Sequence, residues 1–512
     1  MSNPPNSDPE QYLRTDSLNA DLRGRSVRGG AITMAAQIWK FVFQLGSTAV
    51  LARLLTPEDY GLIGMVAVFI GLISLFKDLG LSTATVQRAE VTQSQVSNLF
   101  WVNVVFSITI VLLTAALAPV VAWFYNEPRL TWITIVLASG FVFGGLTVQH
   151  EALLRRQMRF ATLAAIEITS QLVAITTGVI LGLLGTGYWA LVGLQIALSF
   201  ANMVGAWVMC GWRPGLPKRY SGTGNMLAFG GNLTGVSILN YSIRSLDNVL
   251  IGLYLGPAQL GVYAKAYQLL LMPLGQINTP VGKVAIPALS RLQAEPEKYR
   301  SYYKKGIGAI VSLGMPLVVF MFVAADKLVL TMLGEQWTEA ILIFRVLAPA
   351  AFIGTFNVAT GWVYNSMGTA DRQLRWAMVT SSVTALGFLI GIQWGTIGIA
   401  AAASITICGL RYPGIVYCFK ISPLQVGDLM AVVWRPALAS ALAGGTLFAS
   451  NSLFVGYRNT AALLLLDALL YGVFYILFWF ILPNGRQTIL EFVMLAKELR
   501  PNKAKKEADN GN

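Results

Sequence analysis

Apolar runs recur along the whole stretch from Ala31 to Leu482. A run of about 20 such residues is what an α-helix needs to cross a hydrocarbon core of about 30 Å. Inside a bilayer no water satisfies backbone N–H and C=O groups, so runs of this kind can only be helices. Composition agrees: 55% of residues are hydrophobic and 12% charged, half the charge of about 25% that coats an average soluble chain. Forty-nine Gly and thirteen Trp fit membrane helices and their interfaces. The chain reads as an all-α polytopic membrane protein.

Fourteen runs qualify, with cores near 31–52, 60–76, 97–118, 130–148, 160–184, 187–211, 227–250, 259–287, 305–325, 340–364, 373–392, 396–419, 434–454 and 460–482. Pro273, Pro280, Pro287 and Pro316 interrupt the eighth and ninth. With the N-terminus in the cytoplasm, 27 of the 37 Lys and Arg fall in cytoplasmic loops and tails. Only Arg53, Arg129, Lys327 and Arg458 fall outside, and six lie within spans. That bias fixes the orientation, with both termini cytoplasmic and an even number of spans. It also absorbs the net charge of +13 without invoking nucleic acid. The polar first thirty residues lack a signal-peptide core, so the first span is expected to act as uncleaved signal and anchor. Cys210, Cys408, Cys418 and the single His150 are too few for a four-ligand metal site. No disulfide framework is implied. No loop is long enough for a separate soluble domain, so function must reside among the helices.

A duplication is visible. Leu55-Thr-Pro57-Glu-Asp-Tyr-Gly61-Leu62 joins the first two spans, and Leu255-Gly-Pro257-Ala-Gln-Leu-Gly261-Val262 joins the seventh and eighth. Gly185-Thr186 and Gly395-Thr396 precede the sixth and twelfth spans. Six spans per copy keep both copies in one orientation, a parallel repeat about an axis normal to the membrane. The expected organisation is a cytoplasmic tail over 1–30, a six-helix lobe over 31–211 and a linker over 212–226. A second six-helix lobe over 227–420, two additional helices over 421–483 and a basic tail over 484–512 follow.

Ionisable residues within spans cost at least about 2.5–3.5 kcal/mol each and face a cavity or a partner by default. Gln37, Lys40, Gln44 and Ser47 form a polar stripe at helical spacing in the first span, and Ser237, Asn240, Arg244 and Asp247 repeat it in the seventh. Lys265, Gln268, Gln276, Thr279 and Lys283 stripe the eighth, whose repeat partner in the second is apolar. Plain structural roles compete at several positions. Arg244 and Asp247 can neutralise one another, Lys265, Lys283 and Arg411 can snorkel, and Arg345 can anchor at the outer interface. Glu167 is either an ion-coupling carboxylate or the partner of a cavity lysine. Asp467 is expected to hydrogen-bond locally, and His150 to sit solvated at the interface.

Together Lys40, Arg244, Lys265, Lys283, Arg345 and Arg411 outweigh Glu167 and Asp247 by four positive charges. Such an interior attracts anions. Phosphate suits Arg and Lys together, and the side-chain amides suit a hydroxyl-rich portion. A large amphipathic anion is the physical expectation.

The segment Leu51-Ala-Arg53-Leu-Leu-Thr-Pro-Glu-Asp-Tyr-Gly-Leu62 and the later Phe76-Lys-Asp-Leu-Gly-Leu-Ser-Thr-Ala-Thr-Val-Gln-Arg88 resemble the polysaccharide flippases of the multidrug/oligosaccharidyl-lipid/polysaccharide (MOP) superfamily. The branch resembled most is that of the colanic acid exporter. Asp247-Asn-Val-Leu-Ile-Gly-Leu-Tyr-Leu-Gly-Pro257, through Pro287-Ala-Leu-Ser-Arg291, is similar to its second-lobe signature. The resemblance covers roughly residues 30–420. It implies a transporter of the bacterial inner membrane rather than an enzyme. Its cargo would be an isoprenoid-pyrophosphate-linked oligosaccharide, moved to the periplasmic leaflet by alternating access for exopolysaccharide or lipopolysaccharide synthesis. Partners implied are membrane lipids and a polymerase with its chain-length and export machinery. No cofactor is implied, and H+ or Na+ coupling would run through Glu167 or Asp247. Family members rely on basic cavity residues, often arginines; here Arg53 and Arg244 sit in matching helices, while Lys40 is a lysine. Two other readings are a cation-coupled multidrug exporter, which calls for a carboxylate-rich cavity, and a membrane glycosyltransferase or polymerase, which calls for a sizeable extramembrane catalytic domain.

Overall fold

A computed structural model describes residues 22–75, 82, 85–86, 91–217, 241, 245–451, 460–483 and 485. Among them the regular structure is entirely helical, with no strand. The helices in chain order are α1 (Leu22–Leu54), α2 (Pro57–Ser74), α3 (Gln93–Tyr125), α4 (Arg129–Arg156), α5 (Phe160–Leu183), α6 (Trp189–Cys210), α7 (Leu246–Arg291) and α8 (Pro296–Val323). They continue with the short α9 (Ala325–Met332), then α10 (Thr338–Met367), α11 (Ala370–Gly391), α12 (Gly395–Gly409), α13 (Arg411–Phe419), α14 (Val426–Asn451) and α15 (Thr460–Ile481). Thirteen of the fourteen expected spans have a helical counterpart among the described residues, while most of the seventh lies outside them. The end of the seventh and the eighth share α7, which breaks at Gly256, where φ is 83°; only glycine adopts that conformation at little cost. Ten stretches among the described residues are long and apolar enough to cross a membrane. One of these, Ala370–Phe419, holds both the eleventh and twelfth spans. The protein is a multi-pass membrane protein, and its described residues are helical throughout their regular structure.

Local signals set the helix starts. Thr56 caps α2 in a reciprocal capping box with Asp59, and Pro57 fills the first helical position, where no N–H is needed. Thr92 and Gln95 make the same box at α3.

The chain divides into two compact units, Met1–Ala264 with Met332–Trp337, and Lys265–Thr331 with Thr338–Asn512. In the first, α3 packs on α4 and α5 on α6, with α1 against α5. Gly145 on α4 lets it approach α3 closely, since a Cβ there would overlap the Ser107 hydroxyl. One end of this unit is closed by Val96, Phe100, Leu153, Ile166 and Trp212. His150 belongs to that core. It is fully buried, with its ring stacked 4.7 Å from Trp207 and edge-on to Trp212 and Phe100. The expectation of a solvated histidine is therefore corrected: the aromatic residues at the end of α6 fold across α4 and cover it.

In the second unit one core gathers Leu289, Tyr299, Tyr303, Ile307, Trp362 and Ile415. The two additional helices join it through Ala443, Leu447 and Tyr471, packed on Val319 and Val323 of α8.

Candidate functional site

The intramembrane polar residues divide by what holds them. Lys40, midway along α1, donates to Glu167 Oε2 of α5 at 2.9 Å. Both side chains stay a third or more exposed, and Gln37 and Gln44 on the same stripe are exposed as well. The first-span stripe thus lies on the surface of its helix bundle, pinned at its centre by one ion pair. Glu167 is paired with Lys40 in this structure. The repeated stripe in the seventh span is reached only at its end, because Asn240 and Arg244 lie outside the described residues. Asp247 is buried, and its carboxylate accepts from the Tyr263 hydroxyl at 2.9 Å and from the Asn248 N–H at 2.8 Å.

In the second unit Lys265 is buried and donates to Gln268 Oε1 at 3.1 Å. Farther along α7, Gln276 is half-buried and Lys283 exposed. Arg411 is half-buried where α12 gives way to α13, and its guanidinium donates to Asn357 Oδ1 of α10. Asn357 also accepts from the Thr360 hydroxyl at 3.3 Å. Arg345 donates to Asp326 Oδ2 of α9 at 2.6 Å, so a carboxylate absent from the sequence tally balances that charge. Asp467 corrects another expectation. It does not bond locally but accepts from Lys327, 140 residues away, at 2.6 Å.

Sequence reasoning missed Tyr263, Asp326 and Asn357 as partners. Tyr263 had a usable signal: a helical hairpin turning at Gly256–Pro257 brings Asp247 and a residue shortly after the turn side by side. Asp326 and Asn357 carried none, since both pairings depend on how separate helices pack.

Glu58 and Glu127 both accept from Arg129, at 2.6 Å and 2.8 Å, tying the starts of α2 and α4. The Arg129 hydrogen bond holds the Glu127 carboxyl below its usual range. Two of the four cations expected outside, Arg129 and Lys327, are thus matched by carboxylates.

Residues 50–342 match the family described as "Polysaccharide biosynthesis protein". The chain belongs to this family. Among members of the polysaccharide biosynthesis group, it is 26% identical over 322 residues to the teichuronic acid biosynthesis protein TuaB of Bacillus subtilis, covering 62% of this chain and 67% of that protein. It is 24% identical over 385 residues to the lipopolysaccharide biosynthesis protein WzxC of Escherichia coli, covering 74% and 77%. Its fold is that of the lipid II flippase MurJ in an inward closed conformation, with a TM-score of 0.68 at 13% identity, over 87% of this chain and 97% of that one. The family is one of polysaccharide biosynthesis proteins, and the fold is one shared with a flippase structure.

Proposed function

We propose that the chain is a flippase for an isoprenoid-pyrophosphate-linked oligosaccharide, carrying it from the cytoplasmic to the periplasmic leaflet of a bacterial inner membrane. The observation that carries this reading is the family match over residues 50–342. The biosynthetic names of TuaB and WzxC support it. The orientation rests on the Lys/Arg bias of the loops.

The physical task is to lower the cost of dragging pyrophosphate and sugar hydroxyls through hydrocarbon, where each unsatisfied polar group costs several kcal/mol. Lys265, Lys283 and Arg411 are the residues assigned to the pyrophosphate. Lys265 and Arg411 are held in place by the amides of Gln268 and Asn357. Arg244, on the second stripe of the sequence, is assigned to the same chemistry. Lys40 and Arg345 already face carboxylates, so they hold the fields of their helices and meet cargo only when those pairs part. Gln37, Gln44, Asn240, Gln268 and Gln276 serve the sugar hydroxyls. Asp247 and the Lys40–Glu167 pair are the places where H+ or Na+ would couple. An inside-negative potential also favours outward movement of an anion, by about 2.3 kcal/mol per charge per 100 mV. A polymerase consumes the product on the far side.

Mass spectrometry of lipid-linked intermediates in a deletion strain tests the reading. We expect an oligosaccharide on an isoprenoid pyrophosphate to accumulate, shielded from impermeant reagents outside. Alanine at Lys40, Arg244 and Lys265 together should abolish surface glycan at unchanged protein level. No accumulation, combined with lost resistance to organic cations, would replace the flippase with a drug exporter.

A further inference from the structure

At the C-terminal end of α1, the last carbonyls of the helix lack intrahelical partners. Two of them are capped from far along the chain. The Trp337 indole N–H donates to the Ala52 carbonyl at 2.8 Å. The Gln336 amide donates to the Leu55 carbonyl at 2.9 Å and also to that of Ala52. The Trp337 ring stands edge-on to Tyr60 of α2, with centroids 5.4 Å apart. Trp337 and Leu333 are fully buried. Residues 332–337 therefore belong to the first compact unit, although the helices on either side of them, α9 and α10, belong to the second.

Beside this cap the two repeat motifs cross. A Cβ on Gly61 would overlap the Pro257 carbonyl, and a Cβ on Gly261 would overlap that of Pro57. The contact is reciprocal across the offset of 200 residues. Leu62, Met65, Leu260 and Val262 are buried around it.

We propose that residues 332–337 are a latch. By capping α1 in trans, Gln336 and Trp337 hold the Gly61–Gly261 crossing shut at the end of the bundle expected outside the cell, and release of the cap is required for that end to open. The latch rests on the transport reading for its purpose, but its test does not need the cargo.

Leu260→Cys, at a position buried in the closed crossing, reports opening when a membrane-impermeant maleimide is added to intact cells; the protein without this substitution supplies the blank. Removing the cap with Gln336→Ala and Trp337→Ala should raise the labelling rate at least tenfold, the effect of losing three hydrogen bonds at the weak end of their net range. Trp337→Phe, which keeps the ring on Tyr60 but lacks the N–H, should fall between. Gly61→Ala should also raise labelling, whereas Gly140→Ala, whose added methyl meets its neighbours at 3.5 Å or more, should not. If Gly61→Ala fails to fold, the cap variants decide alone. Labelling unchanged by the cap variants overturns the latch, as does labelling seen only in inverted vesicles. A deletion strain without lipid-linked intermediates would defeat the transport reading and leave the labelling result standing.

Discussion

The pair formed by Lys327 and Asp467 makes a quantitative prediction, because its partners are unequally buried. The aspartate side chain is 4% exposed and the lysine side chain 23%. Lys327→Met strands a buried carboxylate, and breaking a buried pair from one side costs about 3–5 kcal/mol. Asp467→Leu instead leaves a lysine on a flexible stem that can turn its ammonium to water, at about 1 kcal/mol. Replacing both leaves an apolar contact of similar volume, which is often neutral for a buried pair. The double variant should therefore recover most of the loss from Lys327→Met. Thermal unfolding of the detergent-purified protein reads this out. At roughly 2 °C per kcal/mol for large chains, Lys327→Met alone lowers the midpoint by about 6 °C or more. The cycle isolates the coupling between the two residues. Equal effects of the single changes, or strict additivity in the double variant, would refute the argument that burial of the aspartate sets the cost.

Three further outcomes are expected. Gly145→Ala pushes a methyl into Ser107 and to 3.0 Å from the Asn103 carbonyl; overpacking of this kind costs about 1–3 kcal/mol and shows as a lower thermal midpoint than that of Gly140→Ala. Glu127, held low by Arg129, contributes stability that is complete above the unfolded carboxyl range near pH 4.3 and is lost as pH falls through its lower folded value. A melting series between pH 7 and pH 3 should show that acid loss, and Glu127→Gln should flatten it. Glu167→Gln removes a half-exposed pair, so the midpoint should move by no more than about 1 kcal/mol equivalent, while surface glycan falls because Lys40 loses its orienting partner.

Much of the fold was legible because hydropathy and charge act along the chain. The apolar runs within the described residues are helices, and the Gly256–Pro257 turn fell where the repeat placed it. The site was legible only where partners share a helix or a hairpin. Stripe residues such as Lys40 could be grouped by spacing, yet the choice between Glu167 and open space for Lys40 depended on how α1 packs on α5. His150 failed for the same reason. Its neighbours in sequence, Gln149 and Glu151, suggest a wet interface, whereas Trp207 and Trp212 arrive from another helix and bury it. A polar residue's surroundings are a tertiary property, and periodicity reports only its own face.

The duplication explains why the two halves diverged unevenly. Where the repeat motifs meet, each glycine must admit the other copy's proline carbonyl, so the constraint is mutual, and a side chain on either one would wedge the crossing open. The polar stripes bear no such mutual demand. The first has settled into a surface pair between Lys40 and Glu167, while the eighth span acquired Lys265 and Lys283 opposite nothing comparable in the second. A symmetric carrier would present equal charge from both halves. This one concentrates cationic side chains along α7, which suits a cargo whose charge is confined to one end, as in a pyrophosphate between a lipid and a sugar chain. On that reasoning, moving the lysine from position 283 to position 83, its match in the first copy (Lys283→Thr with Thr83→Lys), should weaken transport without changing the net charge, and unimpaired transport would show that only the total matters.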